Sequence, residues 1–392
     1  MPGRVEVTFE TGLLGLALQQ AAAVAPMSGK DVTVFAGIIV EINVQDKSAR
    51  IRATDAMTFY STWLPVEIKV LNGTAEDMIW RFPSNAFSSV VNSLPSGPGK
   101  TVRFTPEGTQ VSMKSGRMQA KFNLIDPDGF PNWDAFGDEV MHSVPGLREA
   151  MRRVEWCVMK RGSGMPPYNG ILVGPDMVGA CDRIRFAAVK IQTPFTKDHC
   201  VPLAVLRTIM QASKANPEVA ISKDDSQWLA QVDEDTQYSS ALYTAKWPNV
   251  RSAFERVDHP NAIEFDRDTF LAMAKRALQM STSKRTSKLD LFIGDESLSV
   301  FCADTEMGFL GDSIELTGQA THDITKIRVM PENFLDMIQS ADEKVIMHYR
   351  AGHQYVDNDK SSREHKMNSQ LWFEIGPDYQ VWCMPLTGKA IS

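Results

Sequence analysis

Two short segments at domain spacing carry the same phrase. Residues 126–136 read DPDGFPNWDAF and residues 244–254 read TAKWPNVRSAF, so that Pro131 and Pro248 lie 117 residues apart. Each is an aromatic, Pro and Asn, then variable residues, then Ala-Phe. A second recurring feature is an alternating stretch that runs into aspartate: IRATDAMTFY, VGACDRIRFA and SVFCADTEMGF. It sets Asp55, Asp182 and Asp304 at intervals of 127 and 122 residues. Self-similarity at a fixed period constrains a fold more than any local motif, because each copy must be one structural unit; three units of about 125 residues fill the 392-residue chain without a leftover domain.

The patterns inside each unit agree. The first opens with a strand (VEVTFE) and a helix (TGLLGLALQQAAAVA) with Thr11 available as its cap. Alternating strands follow (VFAGIIVEINV, ARIRATD, STWLPVEIKV), then a helix opened by Pro83 and Ser84, then two or three more strands up to FPN. The second unit repeats the plan with helices in PGLREAMRRVEWCVMK and PLAVLRTIMQASKA. The third does so with DRDTFLAMAKRALQM and MPENFLDMIQSA. Each unit therefore reads as two helices and about eight short strands, an α+β repeat with helices on one face of antiparallel sheet. The boundaries fall at 1–138, 139–257 and 258–392.

Composition places the chain among ordinary globular proteins, with 43% apolar and 23% charged residues. Five singly spaced cysteines and no CxxC argue against a disulfide scaffold. No basic stretch leads into an apolar run at the N-terminus, and no run approaches the ~18 apolar residues of a membrane span. The expectation is a soluble cytoplasmic protein that binds no membrane.

Several segments imitate chemistry without supporting it. PSGPGKT (95–101) resembles the tail of a phosphate-binding loop. Leu94 stands where the motif needs Gly, however, and the segment follows a helix and precedes a strand, the reverse of the required order. The alternating Asp357 and Asp359 lack the Gly of a calcium loop, since Ser362 holds that place. His199 beside Cys200 has no second pair to complete a zinc site. Asp55, Asp182 and Asp304 occupy equivalent places in separate repeats, which suits turns better than a shared catalytic centre. The reading is a non-enzymatic protein with no metal and no cofactor.

Net charge is −7, yet the basic residues are clustered. Arg267 to Lys288 holds six, among them Lys275, Arg276, Lys284 and Arg285, against the single acid Asp268. On the first helix of the second unit, Leu147, Met151, Val154 and Val158 share one face, while Arg148 and Arg152 share another and Arg153 adjoins. Arg207 and Lys214 lie on the second helix of that unit. The first unit is poorer, with Lys30, Lys100 and Arg103. Such surfaces suit contacts to phosphates that do not read sequence.

The three-fold repeat, the SGR…FPN segment (Ser115, Gly116, Arg117; Phe130, Pro131, Asn132), LQQ at Leu18–Gln20, YNG followed by CDRIRF, and a terminal MPL together resemble the β subunit of bacterial DNA polymerase III, the sliding clamp. The resemblance spans essentially the whole chain. It implies a homodimeric ring of six repeats around double-stranded DNA, serving as a processivity factor that tethers the replicative polymerase and the clamp loader through short peptides. By position it implies a peptide pocket of Tyr168, Cys181, Arg183, Arg185, Phe186, Pro248, Met384, Pro385 and Leu386. It also implies a dimer interface of Ala120 and Phe122 on an edge strand, with Leu278 and Gln279 on a helix of the third unit. Arg183 and Ile184 replace the family's Gly and His, and Thr387 replaces a basic residue, as in a divergent clamp such as a phage-encoded one. The alternative is a structural or interaction protein built from the same repeats.

Overall fold

The computed structural model describes residues 4–25, 34–132, 137, 139–159, 166–182, 184–213, 215–245, 247, 261–279, 289–304, 308–317, 325–329, 331–339, 341–350, 370–376 and 378–383. The element order runs three times through one plan. First come β1 (Arg4–Glu10), α1 (Thr11–Val24), β2 (Ile38–Asn43), β3 (Ser48–Thr54), β4 (Thr58–Pro65), β5 (Glu67–Asn72), β6 (Met78–Phe82), α2 (Ser84–Asn92), β7 (Thr101–Glu107), β8 (Gln110–Ser115) and β9 (Met118–Asn123). Next come β10 (His142–Ser143), α3 (Leu147–Val154), β11 (Gly170–Val173), β12 (Met177–Cys181), β13 (Arg185–Lys190), β14 (His199–Pro202), α4 (Leu203–Ala212), β15 (Glu218–Ile221), β16 (Gln227–Gln231) and β17 (Thr236–Ala241). Last come β18 (Asn261–Asp266), α5 (Arg267–Gln279), β19 (Leu289–Ile293), β20 (Ser297–Asp304), β21 (Gly308–Glu315), β22 (Thr325–Val329), α6 (Pro331–Gln339), β23 (Lys344–Arg350), β24 (Gln370–Gly376) and β25 (Tyr379–Cys383).

Each repeat contributes two four-stranded half-sheets. One kind is ordered β6-β2-β3-β4, β14-β11-β12-β13 and β22-β19-β20-β21; the other is β1-β7-β8-β9, β10-β15-β16-β17 and β18-β23-β24-β25. Two joints fuse half-sheets of successive repeats into eight-stranded sheets, β4 against β17 and β13 against β25. The remaining two half-sheets stand alone. β21 ends one of them and β9 ends the other, without a neighbouring strand among the described residues. At the far side of the β9 half-sheet, β5 adds a fifth strand on the edge of β1.

The chain divides into two compact units, residues 1–145 with 204–242, and residues 146–203 with 243–392. Each unit holds one joint and one lone half-sheet. In the first, α1 packs on α2 and over β3 and β4, and the core is aromatic. Phe82 stacks on Phe87 with ring centroids 3.9 Å apart, and Phe122 meets both edge-on at 5.7 and 5.4 Å. Each such ring contributes about 1.5–3 kcal/mol by leaving water. In the second unit, α5 packs on α6, with Phe265 and Phe270 buried 4.8 Å apart.

Two local expectations change. Thr11 is the first helical residue of α1 rather than its cap; its N–H donates to the Lys100 carbonyl at 2.9 Å, so the loop before β7 closes the helix start. STWLPVEIKV is two strands, not one. β4 ends at Pro65, Val66 donates its N–H to the Lys47 carbonyl, and β5 leaves for another sheet. The buried face of α3 is the expected one, with Leu147, Met151 and Val154 joined by Ala150, but the helix stops at Val154 and a 3-10 turn carries Glu155–Cys157.

Candidate partner and nucleic-acid surfaces

Strands β11, β12 and β13 are apolar on both faces. Ile171, Val178, Ala180 and Ala187 are fully buried on one. On the other, alternation and register bring together Leu172, Met177, Cys181, Phe186 and Ala188, and two half-buried aromatics, Tyr168 and Trp247, pack against them. Gly179 lies in the same row, and a Cβ there would come within 3.1 Å of the Phe186 ring, so the missing side chain lets that ring lie flat. Of the residues assigned to a peptide pocket, Tyr168, Cys181 and Phe186 therefore share one surface. Arg183, Pro248, Met384, Pro385 and Leu386 lie outside the described residues. Trp247, the aromatic of the second Pro-Asn phrase, shares this surface but was not among the expected residues. Two buried polar atoms, Trp247 Nε1 and Asn169 Oδ1, have no hydrogen-bond partner among the described residues.

Arg185 is placed differently from expectation. Its side chain is 9% exposed, its guanidinium lies 5.0 Å from the Trp156 ring, and it bridges Asp182 at 2.7 Å and Asp336 on α6 at 3.0 Å. It ties the turn before β13 to a helix of the third repeat, and its donors are engaged within the chain. Beside it, Trp156 Nε1 donates to the Tyr379 hydroxyl at 2.8 Å, and that hydroxyl donates to the Arg153 carbonyl.

The aspartates behave as turn formers where they are described. Asp55 Oδ1 accepts the N–H groups of Met57 and Thr58; Asp182 Oδ1 accepts those of Ile184 and Arg185. In both turns the aspartate N–H donates to the carbonyl three residues on, at 3.2 Å. The side chain of Asp304 lies outside the described residues. The first Pro-Asn phrase is also anchored. Phe130 sits 5.3 Å from the Arg81 guanidinium and 5.9 Å from that of Arg52, and Asn132 Oδ1 accepts from Arg52 at 3.2 Å. Arg81 in turn donates to the carbonyls of Val34, Ala36 and Asp126.

The basic residues divide by helix. Arg152 on α3 is 74% exposed, with Glu149 at 3.4 Å as its partner. Arg148 is half-exposed. Arg153 is drawn inward by Glu149 and Asp342 and lies over the Tyr379 ring. On α5, Lys275 is exposed, while Arg276 pairs with Asp312 on β21 at 2.5 Å. Arg207 on α4 is exposed. Lys30, Lys214, Lys284 and Arg285 lie outside the described residues. By contrast α1 and α2 carry no charged residue; the outward positions of α1 include Leu13 and Leu16, 41% and 53% exposed. Arg103 sits on β7, 3.7 Å from Glu6, and Lys100 in the loop before it.

The expected interface residues Ala120 and Phe122 lie on β9, which is indeed an edge strand. Ala120 is half-buried, but Phe122 is 8% exposed and belongs to the aromatic core, so it serves the fold first. Gln279 ends α5 and is exposed; the Leu278 side chain lies outside the described residues. In the 95–101 segment, residues 95–100 belong to the loop from α2 to β7, with Gly97 and Gly99 at positive φ, and Thr101 opens β7. His199 and Cys200 are buried in β14, where burial pushes the Cys200 thiol up to about 12. No group of three metal-ligating side chains occurs among the described residues, and no helix there is long and apolar enough to cross a membrane.

No family model matches the chain, and no curated protein does. Solved structures do. The DNA polymerase sliding clamp of Bacillus subtilis superimposes with a TM-score of 0.82 at 15% identity, over 98% of this chain and 100% of that one. The DNA polymerase III β subunit of Thermotoga maritima gives 0.79 at 17% identity, over 98% and 100%. The sliding clamp of Pseudomonas aeruginosa, solved with griselimycin bound, gives 0.79 at 16% identity with the same coverage. At these identities the likeness is one of architecture: along essentially its whole length, the chain has the α+β fold of the bacterial DNA polymerase sliding clamps.

Proposed function

We propose that the protein is a DNA sliding clamp, a non-catalytic processivity factor that encircles duplex DNA as a homodimeric ring and tethers a polymerase and its loader in the cytoplasm. The observation that carries this reading is the pair of lone half-sheets. Two of the three junctions implied by three repeats form within the chain, and the third has its two edges, β21 and β9, open. A second copy supplies each missing neighbour, and heterologous edges that close give a ring. In this reading the repeats span residues 1–138, 139–257 and 258–392. Exposed cations on α3 and α5 meet phosphates. The apolar surface of Tyr168, Phe186 and Trp247 receives a short peptide through its apolar side chains.

Two measurements test it. Light scattering should give about twice the 43.6 kDa chain mass. Protein loaded on nicked circular duplex should survive a high-salt wash and be lost when the circle is cut, because a topological link does not follow the salt dependence of phosphate contacts. Monomers, or equal salt-sensitive loss from circles and linear DNA, would overturn the ring and favour an assembly protein built from the same repeats.

A further inference from the structure

The two formed junctions share a register, and that register can be carried to the unformed one. Counting from the aspartate turn, the residue that faces the one before Asp is Phe59 opposite Thr54, Phe186 opposite Cys181, and Phe309 opposite Ala303. A phenylalanine thus holds the same place in all three repeats. Across the junctions, Phe59 faces Ser239 and Phe186 faces Trp382, each the fourth residue of its strand. The fourth residue of β9 is Lys121. The next pairs inward are Tyr60 with Tyr238 and Ala187 with Val381; their counterparts are Leu310 and Ala120.

We infer that β21 of one copy pairs antiparallel with β9 of a second copy so that Phe309 faces the partner's Lys121 and Leu310 faces the partner's Ala120. This rests on the ring reading above and adds its register and its outer seam. Side-chain parity agrees. Leu310 lies opposite buried Cys302, and Ala120 opposite buried Met113, so both point to the core faces of their half-sheets. Phe309 and Lys121 then fall on the outer faces. There Phe309 is 73% exposed, next to Phe301 and Phe292, which are 41% and 36% exposed and meet edge-on at 5.1 Å. Phe301 faces Gly311 on β21, where a Cβ would come within 2.9 Å of its ring, so the aromatic stripe reaches the open edge. Phe186, at the equivalent place of a formed junction, is 4% exposed. On the other side Lys121 holds Glu107 at 2.7 Å and stands at the rim of its sheet, ready to lay its stem and ammonium on the aromatic stripe.

The test is disulfide trapping in the full chain. Directly opposed residues lie within the Cα separation a disulfide spans, and a two-residue offset does not. The described native cysteines are buried, so the parent chain is the control. L310C with A120C should give a covalent dimer on oxidation; L310C with M118C should not. F309S should keep the parent's thermal unfolding as a monomer and raise the dimer dissociation constant about tenfold or more, the loss expected for unburying a phenylalanine. Trapping by the offset pair alone would overturn the register while leaving a ring. An unchanged dissociation constant for F309S would overturn the outer seam. A parent chain that is monomeric at micromolar concentration would remove the ring and the register together.

Discussion

Asp182 and Arg185 show how far a residue can be read from its neighbours. The turn role of the aspartates was legible, because equal placement in successive repeats leaves little else for an isolated carboxylate to do, and Asp55 and Asp182 make matching backbone bonds. The role of Arg185 was not legible. Its partner Asp336 is 151 residues away, and the Trp156 ring that flanks it comes from a third segment. Arg185→Ala should cost about 3 kcal/mol, the low end for orphaning one member of a buried ion pair, since the Asp336 side chain is 39% exposed. Arg185→Met, which refills the space but orphans the same two carboxylates, should cost nearly as much. Urea unfolding that finds Arg185→Met clearly less destabilising would mean that packing, not the ion pairs, sets the loss. His348 offers a pH test. Burial lowers its pKa from 6.5 to about 4. Between those values the unfolded chain binds a proton that the folded chain refuses, so stability present above pH 6.5 declines as pH falls toward 4. His348→Asn should flatten that decline in the melting temperature, and parallel profiles for parent and variant would exclude it.

Among the elements, helices were legible from apolar spacing, and strand neighbours were not. Alternation tells which face of a strand is buried, but not which strand lies beside it. STWLPVEIKV shows the limit, since one continuous pattern serves two sheets around Pro65. Phe122 shows it again. Its place on an edge strand was readable, while its burial under Phe82 and Phe87 follows from packing by a distant helix. The helices also differ in charge, neutral in α1 and α2 and basic in α3 and α5. Arg152→Glu with Lys275→Glu should weaken duplex binding and lower the slope of log affinity against log salt by about one unit for each phosphate no longer neutralised. Gln19→Lys on α1 should steepen it. A slope unmoved by the double reversal would place the phosphate-binding cations elsewhere.

For the whole molecule, the repeat period announced three units, yet the compact units are two, because each junction binds half of the middle repeat to a neighbour. No sequence period contains that cut, since it arises from hydrogen bonds between strands of different repeats. If copies join as proposed, unfolding is linked to dissociation. The melting temperature should then climb with protein concentration, by about 1 °C per tenfold for a chain of this size. A midpoint independent of concentration over two decades would argue for a stable monomer.

The fifth strand of the β9 half-sheet has a wider consequence. β5, largely exposed and carrying Glu67 and Lys69, occupies the edge that β1 would otherwise leave bare. Charged edge strands resist further pairing. That half-sheet can then grow at β9 alone, and if copies join as proposed the chain is a bifunctional monomer with one donor and one acceptor edge, the connectivity that yields either filaments or cycles. Cyclisation prevails when a chain's own second end is more concentrated than free copies. In a two-copy assembly the first joint holds the second pair of edges at an effective concentration of the order of millimolar, far above micromolar protein. If the proposed ring forms, it can break one joint, admit duplex DNA and reclose without losing a subunit, so opening and disassembly become separate events with separate barriers.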